Sequence, residues 1–180
     1  MTINFVNEFQ IDKKTQAEIT ELLAICFPQS DYNNRAFFKQ LPHYRLLLTD
    51  NNKVTGQLGI DYRVMNLNGE LVRVFGVIDL VIHPDLQGKG WGTKLMNEFD
   101  KIANEYNYNI DFTFLVTDKP EFYSRLGYKK AMVTSTWLKI YQGVNYGIGK
   151  QIIEDSSIMY KQIGSRSWSD GALDLLGYMY

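Results

Sequence analysis

The chain has 180 residues, 45% of them hydrophobic and 22% charged, which suits one globular domain and excludes disordered and fibrous classes. Nineteen Lys and Arg balance twenty Asp and Glu with no basic run, so nothing favours nucleic acid as a partner. One cysteine excludes an intrachain disulfide framework, no stretch approaches the roughly 18 apolar residues of a membrane span, and residues 1–10 lack the pattern of a secretory signal. The expectation is a cytoplasmic protein with no membrane partner.

In chain order, residues 3–9 alternate loosely, as in a first strand. Ile19, Leu22, Leu23, Cys26 and Phe27 recur at helical spacing over 15–27, and Pro28 punctuates that helix. Cys26, flanked by Ile25 and Phe27, reads as a small buried hydrophobe rather than a nucleophile. A second short helix is expected over 32–41, ended by Pro42. Residues 44–49 are apolar and β-like, and Asp50, Asn51 and Asn52 form a turn cluster. Strands are expected over 54–65 and 71–82, joined by Asn68-Gly69, the strongest short hairpin signal in the chain. The run Val77-Ile78-Asp79-Leu80-Val81-Ile82 is nearly all apolar, as in a strand covered on both faces.

A glycine-rich turn then leads into a helix over 93–106, whose Leu95, Met96, Phe99, Ile102, Ala103 and Tyr106 form one apolar stripe. A buried strand over 110–116 follows. A short helix over 120–126 is ended by Gly127 as a left-handed terminator. Further strands are expected over 134–141 and 156–163, with a loop at Ser165, Arg166, Ser167 and Trp168. The whole reads as a single domain over 1–180, a core of about 1–142 with an extension of about 143–180 packed on it.

The turn Gln87-Gly88-Lys89-Gly90-Trp91-Gly92 carries the chemistry. Three glycines in five residues let the backbone approach a ligand, and successive N–H groups at a helix N-terminus form an anion cradle for phosphate or pyrophosphate. The dinucleotide fingerprint fails, because Thr93 stands where its third glycine belongs, and the P-loop pattern is absent.

The segment does fit Q/R-x-x-G-x-G/A, and here the sequence resembles the GNAT superfamily of N-acetyltransferases. Upstream, Leu80-Val81-Ile82-His83-Pro84-Asp85 looks like that family's strand end. Downstream, Phe122-Tyr123-Ser124-Arg125-Leu126-Gly127-Tyr128 looks like its second signature, F-Y-x-x-x-G-F/Y. The resemblance covers about residues 45–140. It implies an α/β (α+β) fold with a mixed, mostly antiparallel central sheet flanked by helices. Strands 71–82 and 110–116 would splay apart to form a cleft for acetyl-CoA, the co-substrate. Backbone groups of Val81 and Ile82 would pair with the pantetheine arm. The amides of Gly88, Lys89, Gly90, Trp91, Gly92 and Thr93 would hold the pyrophosphate, with the Gln87 and Lys89 side chains beside it, although Lys89 also reads as simply solvated.

Acetyl transfer to an amine needs a neutral amine, a polarised thioester and a proton for the departing thiolate. In the family a tyrosine at the position of Tyr123 serves as general acid; the competing reading is that Tyr123 packs on the cofactor. Many relatives carry a base at the position of Ile78, where this sequence has no carboxylate. Asp79 is next door, but strand alternation turns a neighbour to the other face. Asp79 therefore stands as a candidate base against the alternative of a satisfied polar residue. Without the carboxylate, a weakly catalytic or regulatory acyl-CoA-binding module is the alternative function. The tail from 169 faintly resembles the C-terminal extension of aminoglycoside 2′-N-acetyltransferases. On that reading Asp170, Asp174 or the terminal carboxylate would receive a cationic small-molecule amine; otherwise the tail packs at a domain or homodimer surface. His43 and His83 have no partners at metal-ligand spacing, and no metal site is expected.

Overall fold

Local chemistry fixes the first hairpins of the computed structural model, which describes residues 1–30, 32, 34–151 and 157–180. Asn51 and Asn52 both take left-handed conformations (φ 47° and 60°), as do Asn68 and Gly69 (φ 55° and 92°). Two consecutive residues of positive φ twist a two-residue turn to match the flanking strands, and Asn and Gly tolerate that region best. The packing divides the chain into two units, Met1–Asp61 with Ile78–Asp100 and Tyr62–Val77 with Lys101–Tyr180.

The first unit opens with β1 (Thr2–Asn7), a 3₁₀ turn (Glu8–Gln10) and α1 (Lys13–Cys26). Asp12 caps α1 by accepting the Thr15 amide at 2.7 Å, and this bond holds its carboxyl below the usual carboxylate range. β2 (Tyr44–Asp50) pairs antiparallel with β1 and with the first half of β3 (Lys53–Leu67). The unit also takes the end of β4 (Glu70–Ile82), a 3₁₀ turn (Pro84–Leu86) and most of α2 (Trp91–Glu105). α1 buries Ile19, Leu22 and Leu23 in a core with Leu47, Val54 and Val81. Each such aliphatic side chain contributes about 1.5–3 kcal/mol on leaving water.

The helix expected over 32–41 does not form; the described residues there make turns and bends. Asn34 is left-handed (φ 57°), and the Arg35 guanidinium donates to the Tyr32 and Phe38 carbonyls, both at 3.1 Å. The Arg35 amide also donates to the Tyr32 carbonyl at 2.9 Å, which closes a single tight turn, and the guanidinium bonds hold the chain in that turn rather than in a helix.

The second unit contains β5 (Phe112–Thr117), α3 (Pro120–Ser124), β6 (Lys129–Lys130), β7 (Val133–Tyr141), β8 (Val144–Gln151), β9 (Ser157–Gln162) and β10 (Gly171–Tyr178). Its strand order is β6-β9-β5-β4-β3-β10-β7-β8. β4–β5 and β10–β7 are parallel, and the other ladders described here are antiparallel. This is the mixed, mostly antiparallel sheet expected. The β4–β5 ladder runs from Val74 opposite Phe112 to Gly76 opposite Phe114.

The tail does more than pack on a surface. β10 enters the sheet between β3 and β7, with Leu173 and Leu175 fully buried. Asn68 anchors its start, accepting the Ala172 amide at 2.7 Å and donating to the Ser169 hydroxyl at 3.0 Å. The Tyr180 ring lies over Gly76, where an added Cβ would meet its hydroxyl oxygen. The strand expected over 156–163 is β9; its first residue, Ser156, lies outside the described residues. Among the described residues no helix is long and apolar enough to cross a membrane.

Candidate active site

The glycine turn joins β4 to α2 within the first unit. Gly88 and Gly90 have φ of 71° and 80°, and open space lies where a Cβ would stand on either. The first turn of α2 closes when the Lys94 amide donates to the Gly90 carbonyl at 3.1 Å. Among the described residues, the amides of Gly88, Lys89, Gly90, Trp91 and Gly92 make no well-formed hydrogen bond. Glycines with clear space at a helix start, where the first amides have no intrahelical partner, suit a phosphate group. The backbone therefore fits the pyrophosphate of a coenzyme A.

Two flanking side chains are engaged with the turn itself. Gln87 donates through Nε2 to the Ile82 carbonyl at 2.9 Å, and Lys89 donates through Nζ to the Asp85 carbonyl at 2.7 Å. Cys26 also points its Sγ at the Ile82 carbonyl, at 3.5 Å, and burial pushes its thiol pKa up. A thiol kept protonated is a poor nucleophile. Val81 and Ile82 are both buried. The Lys94 ammonium sits 3.8 Å from the centre of the Trp91 ring.

Three residues before Ile82, the strand breaks its own alternation. Asp79 has φ 50°, a left-handed conformation inside β4 that is costly for any residue with a side chain. The parity argument from sequence therefore does not apply at this residue. Its Oδ1 accepts the Tyr32 hydroxyl at 2.8 Å and its carbonyl accepts Gln57 Nε2 at 2.8 Å. The residue keeps partial exposure, while desolvation raises the carboxyl pKa; the Tyr32 bond and the positive charges of Arg45 and Lys39 oppose that rise. A carboxylate that is accessible yet poorly solvated has the character of a general base.

Behind Asp79 lies a network that the sequence analysis missed. Arg45 is 1% exposed. It donates to Glu8 through Nε (2.6 Å) and Nη2 (3.1 Å), to the Ala36 carbonyl (2.7 Å) and to Gln57 Oε1 (2.5 Å). The available signal was an Arg directly before the apolar run Leu46-Leu47-Leu48 and a Gln beside Leu58 in the next strand.

Tyr123 belongs to the second unit, on α3. Its ring meets Phe122 and Tyr128 edge-on, with centroids 4.9 and 5.9 Å away. Burial, with a smaller contribution from Asp118, pushes its pKa up to about 12. It is thus a protonated donor at any physiological pH. The tail carboxylates are occupied locally. Asp170 accepts the Met132 amide (2.9 Å) and Trp168 Nε1 (3.0 Å), and Asp174 accepts the Leu176 amide (2.9 Å). Among the described residues no group of three or more His, Cys, Asp or Glu could hold a metal.

The fold has counterparts among known proteins. A GNAT family N-acetyltransferase from Escherichia coli (YhbS), solved in complex with CoA, is 18% identical, with a TM-score of 0.64 over 96% of this chain and 88% of that one. The ribosomal-protein-S18-alanine N-acetyltransferase from Escherichia coli is 12% identical, with a TM-score of 0.57 over 92% and 97%. A GCN5-related N-acetyltransferase from Anabaena variabilis is 17% identical, with a TM-score of 0.57 over 75% of this chain but 33% of that one. At such identities the likeness shows the fold. No curated protein matches the sequence. The family model described as "Acetyltransferase (GNAT) domain" matches residues 10–131. With more than half of its length matched, the chain belongs to the GNAT acetyltransferases, enzymes that use acetyl-CoA as co-substrate.

Proposed function

We propose that the protein transfers the acetyl group of acetyl-CoA to a primary amine by direct attack in a ternary complex. The observation that carries the reading is the glycine turn, with its left-handed glycines and clear space at the start of α2. The amides of residues 88–93 hold the pyrophosphate there, and the backbone of Val81 and Ile82 pairs with the pantetheine arm. Gln87 and Lys89 act as braces of the cradle, in keeping with their bonds to Ile82 and Asp85.

The co-substrate supplies an activated thioester. Asp79 takes one proton from the acceptor's ammonium, leaving a neutral amine whose nitrogen bonds to the acetyl carbon as the carbon–sulfur bond breaks. Tyr123 gives its proton to the departing sulfur and recovers one from the nitrogen of the new amide. Asp79 then returns its proton to solvent. Protons balance: one ammonium and one thioester yield one amide, one thiol and one released proton.

Calorimetry with acetyl-CoA tests the cradle. Wild type is expected to bind, and Gly90→Glu to lose at least about 100-fold in affinity, because it adds strain at φ 80° and a negative charge where phosphate would sit. Absence of binding by folded wild type overturns the reading. A screen of primary amines by thiol release follows, with Tyr123→Phe expected to lower kcat by about 10²-fold.

A further inference from the structure

The left-handed residue in β4 is held by three side chains that the proposed chemistry does not use. Gln57 is 0% exposed, and both ends of its amide are engaged: Oε1 with Arg45 Nη1 and Nε2 with the Asp79 carbonyl. Reversing the amide would set its NH₂ against a guanidinium, which has only donors, so Arg45 dictates which end faces Asp79. Arg45 in turn is fixed by the two oxygens of Glu8 and by the Ala36 carbonyl. A buried ion pair of this kind is weak evidence for stability, since an apolar set of equal volume does as well. What it supplies is direction.

From this geometry we infer that Gln57, oriented by Arg45, and Tyr32 are positioning residues that hold Asp79 in its left-handed conformation and aim its carboxylate. Gln57 acts on the carbonyl and Tyr32 on Oδ1, so the residue is gripped at both polar ends. Tyr32 is itself fixed by stacking on Phe27 (centroids 5.7 Å apart, planes 11° apart) and by contact with Phe38. This inference rests on the reading of Asp79 as the base. The charged and titratable groups facing its carboxyl are Tyr32, Arg45 and Lys39, with Cys26 facing Tyr32.

The two grips predict opposite shifts. Losing the Tyr32 hydroxyl removes a bond to the charged form, so Tyr32→Phe raises the Asp79 carboxyl pKa by about one unit. Losing the Gln57 grip lets the residue relax toward solvent, so Gln57→Met lowers it toward the ordinary carboxylate range. The measurement is a ¹³C NMR titration of Asp side-chain carboxyls in the full chain, with the Asp79 signal assigned by its loss in Asp79→Asn. If Gln57→Met does not fold, Gln57→Asn keeps an amide but is one methylene too short for both contacts. A rise in the first variant and a fall in the second support the inference. An unmoved Asp79 titration in either overturns it. The base reading fails separately: acetyl transfer surviving in Asp79→Asn overturns that reading whatever the titrations show.

Discussion

The interior around Arg45 and the interior around Phe112 are both closed to water, yet they hold their strands by opposite chemistry. In the first unit a guanidinium bonds Glu8, the Ala36 carbonyl and Gln57, and the bonds lead to a strained residue. In the second unit Phe112 meets the edges of Tyr160 and Trp168 at 6.2 and 5.2 Å, and those two rings stack 4.1 Å apart. Apolar burial is non-directional and tolerates small shifts. A hydrogen-bonded charge network does not, since each bond weakens steeply with angle. The aromatic interior thus serves stability, and the polar one fixes directions.

The largest effect should come from breaking the polar interior on one side. Arg45→Met leaves Glu8 without its cation and should cost about 3–5 kcal/mol, read by denaturant unfolding. Combining Glu8→Leu, Arg45→Met and Gln57→Leu replaces the whole network by apolar side chains. Stability should return to within about 1–2 kcal/mol of wild type, while acetyl transfer stays depressed. Full recovery of both would show that the network is structural only.

Trp168→Ala should follow, at about 3 kcal/mol, the low end for truncating an aromatic side chain because Trp168 is only partly buried. Acetyl-CoA affinity of the folded fraction should stay within about twofold of wild type, as calorimetry would show.

The smallest effect has the opposite sign. Asp79 is raised in the folded state, so folding favours its protonated form and its contribution to stability falls as pH rises through the folded pKa. Asp79→Asn should therefore stabilise the protein at pH 7, by about 1 kcal/mol or roughly 2–4 °C in Tm, while abolishing most transfer activity. Melting curves should show that gain shrinking as pH falls through the same folded pKa. A destabilised Asp79→Asn at pH 7 would overturn the reading of this carboxylate as a poorly solvated charge.

Much of the architecture was written in local sequence. Asn68-Gly69 specifies its turn because both positions need positive φ, and the spacing of Leu95, Met96 and Phe99 specifies the buried stripe of α2. The glycine turn was legible for the same reason, since the conformations of Gly88 and Gly90 are available mainly to glycine. The segment from 32 to 41 misled because its helical spacing says nothing of the Arg35 guanidinium closing on the Tyr32 and Phe38 carbonyls. The tail misled because a glycine-rich entry and scattered acids do not announce a strand. β10 exists through its ladders with β3 and β7, more than a hundred and about forty residues away in the chain.

Elements whose conformations are set within a few residues were legible in the chain: two hairpin turns, two amphipathic helices and the glycine turn before α2. The direction of Asp79 is set by long-range contacts instead. Its backbone angle depends on a carbonyl held from β3 by Gln57, on a guanidinium from β2 that orients Gln57, and on a hydroxyl from the loop after α1. Those groups lie 22, 34 and 47 residues from Asp79 along the chain. No local pattern carries such information, because strain at one residue persists only when distant parts of the fold hold it in place.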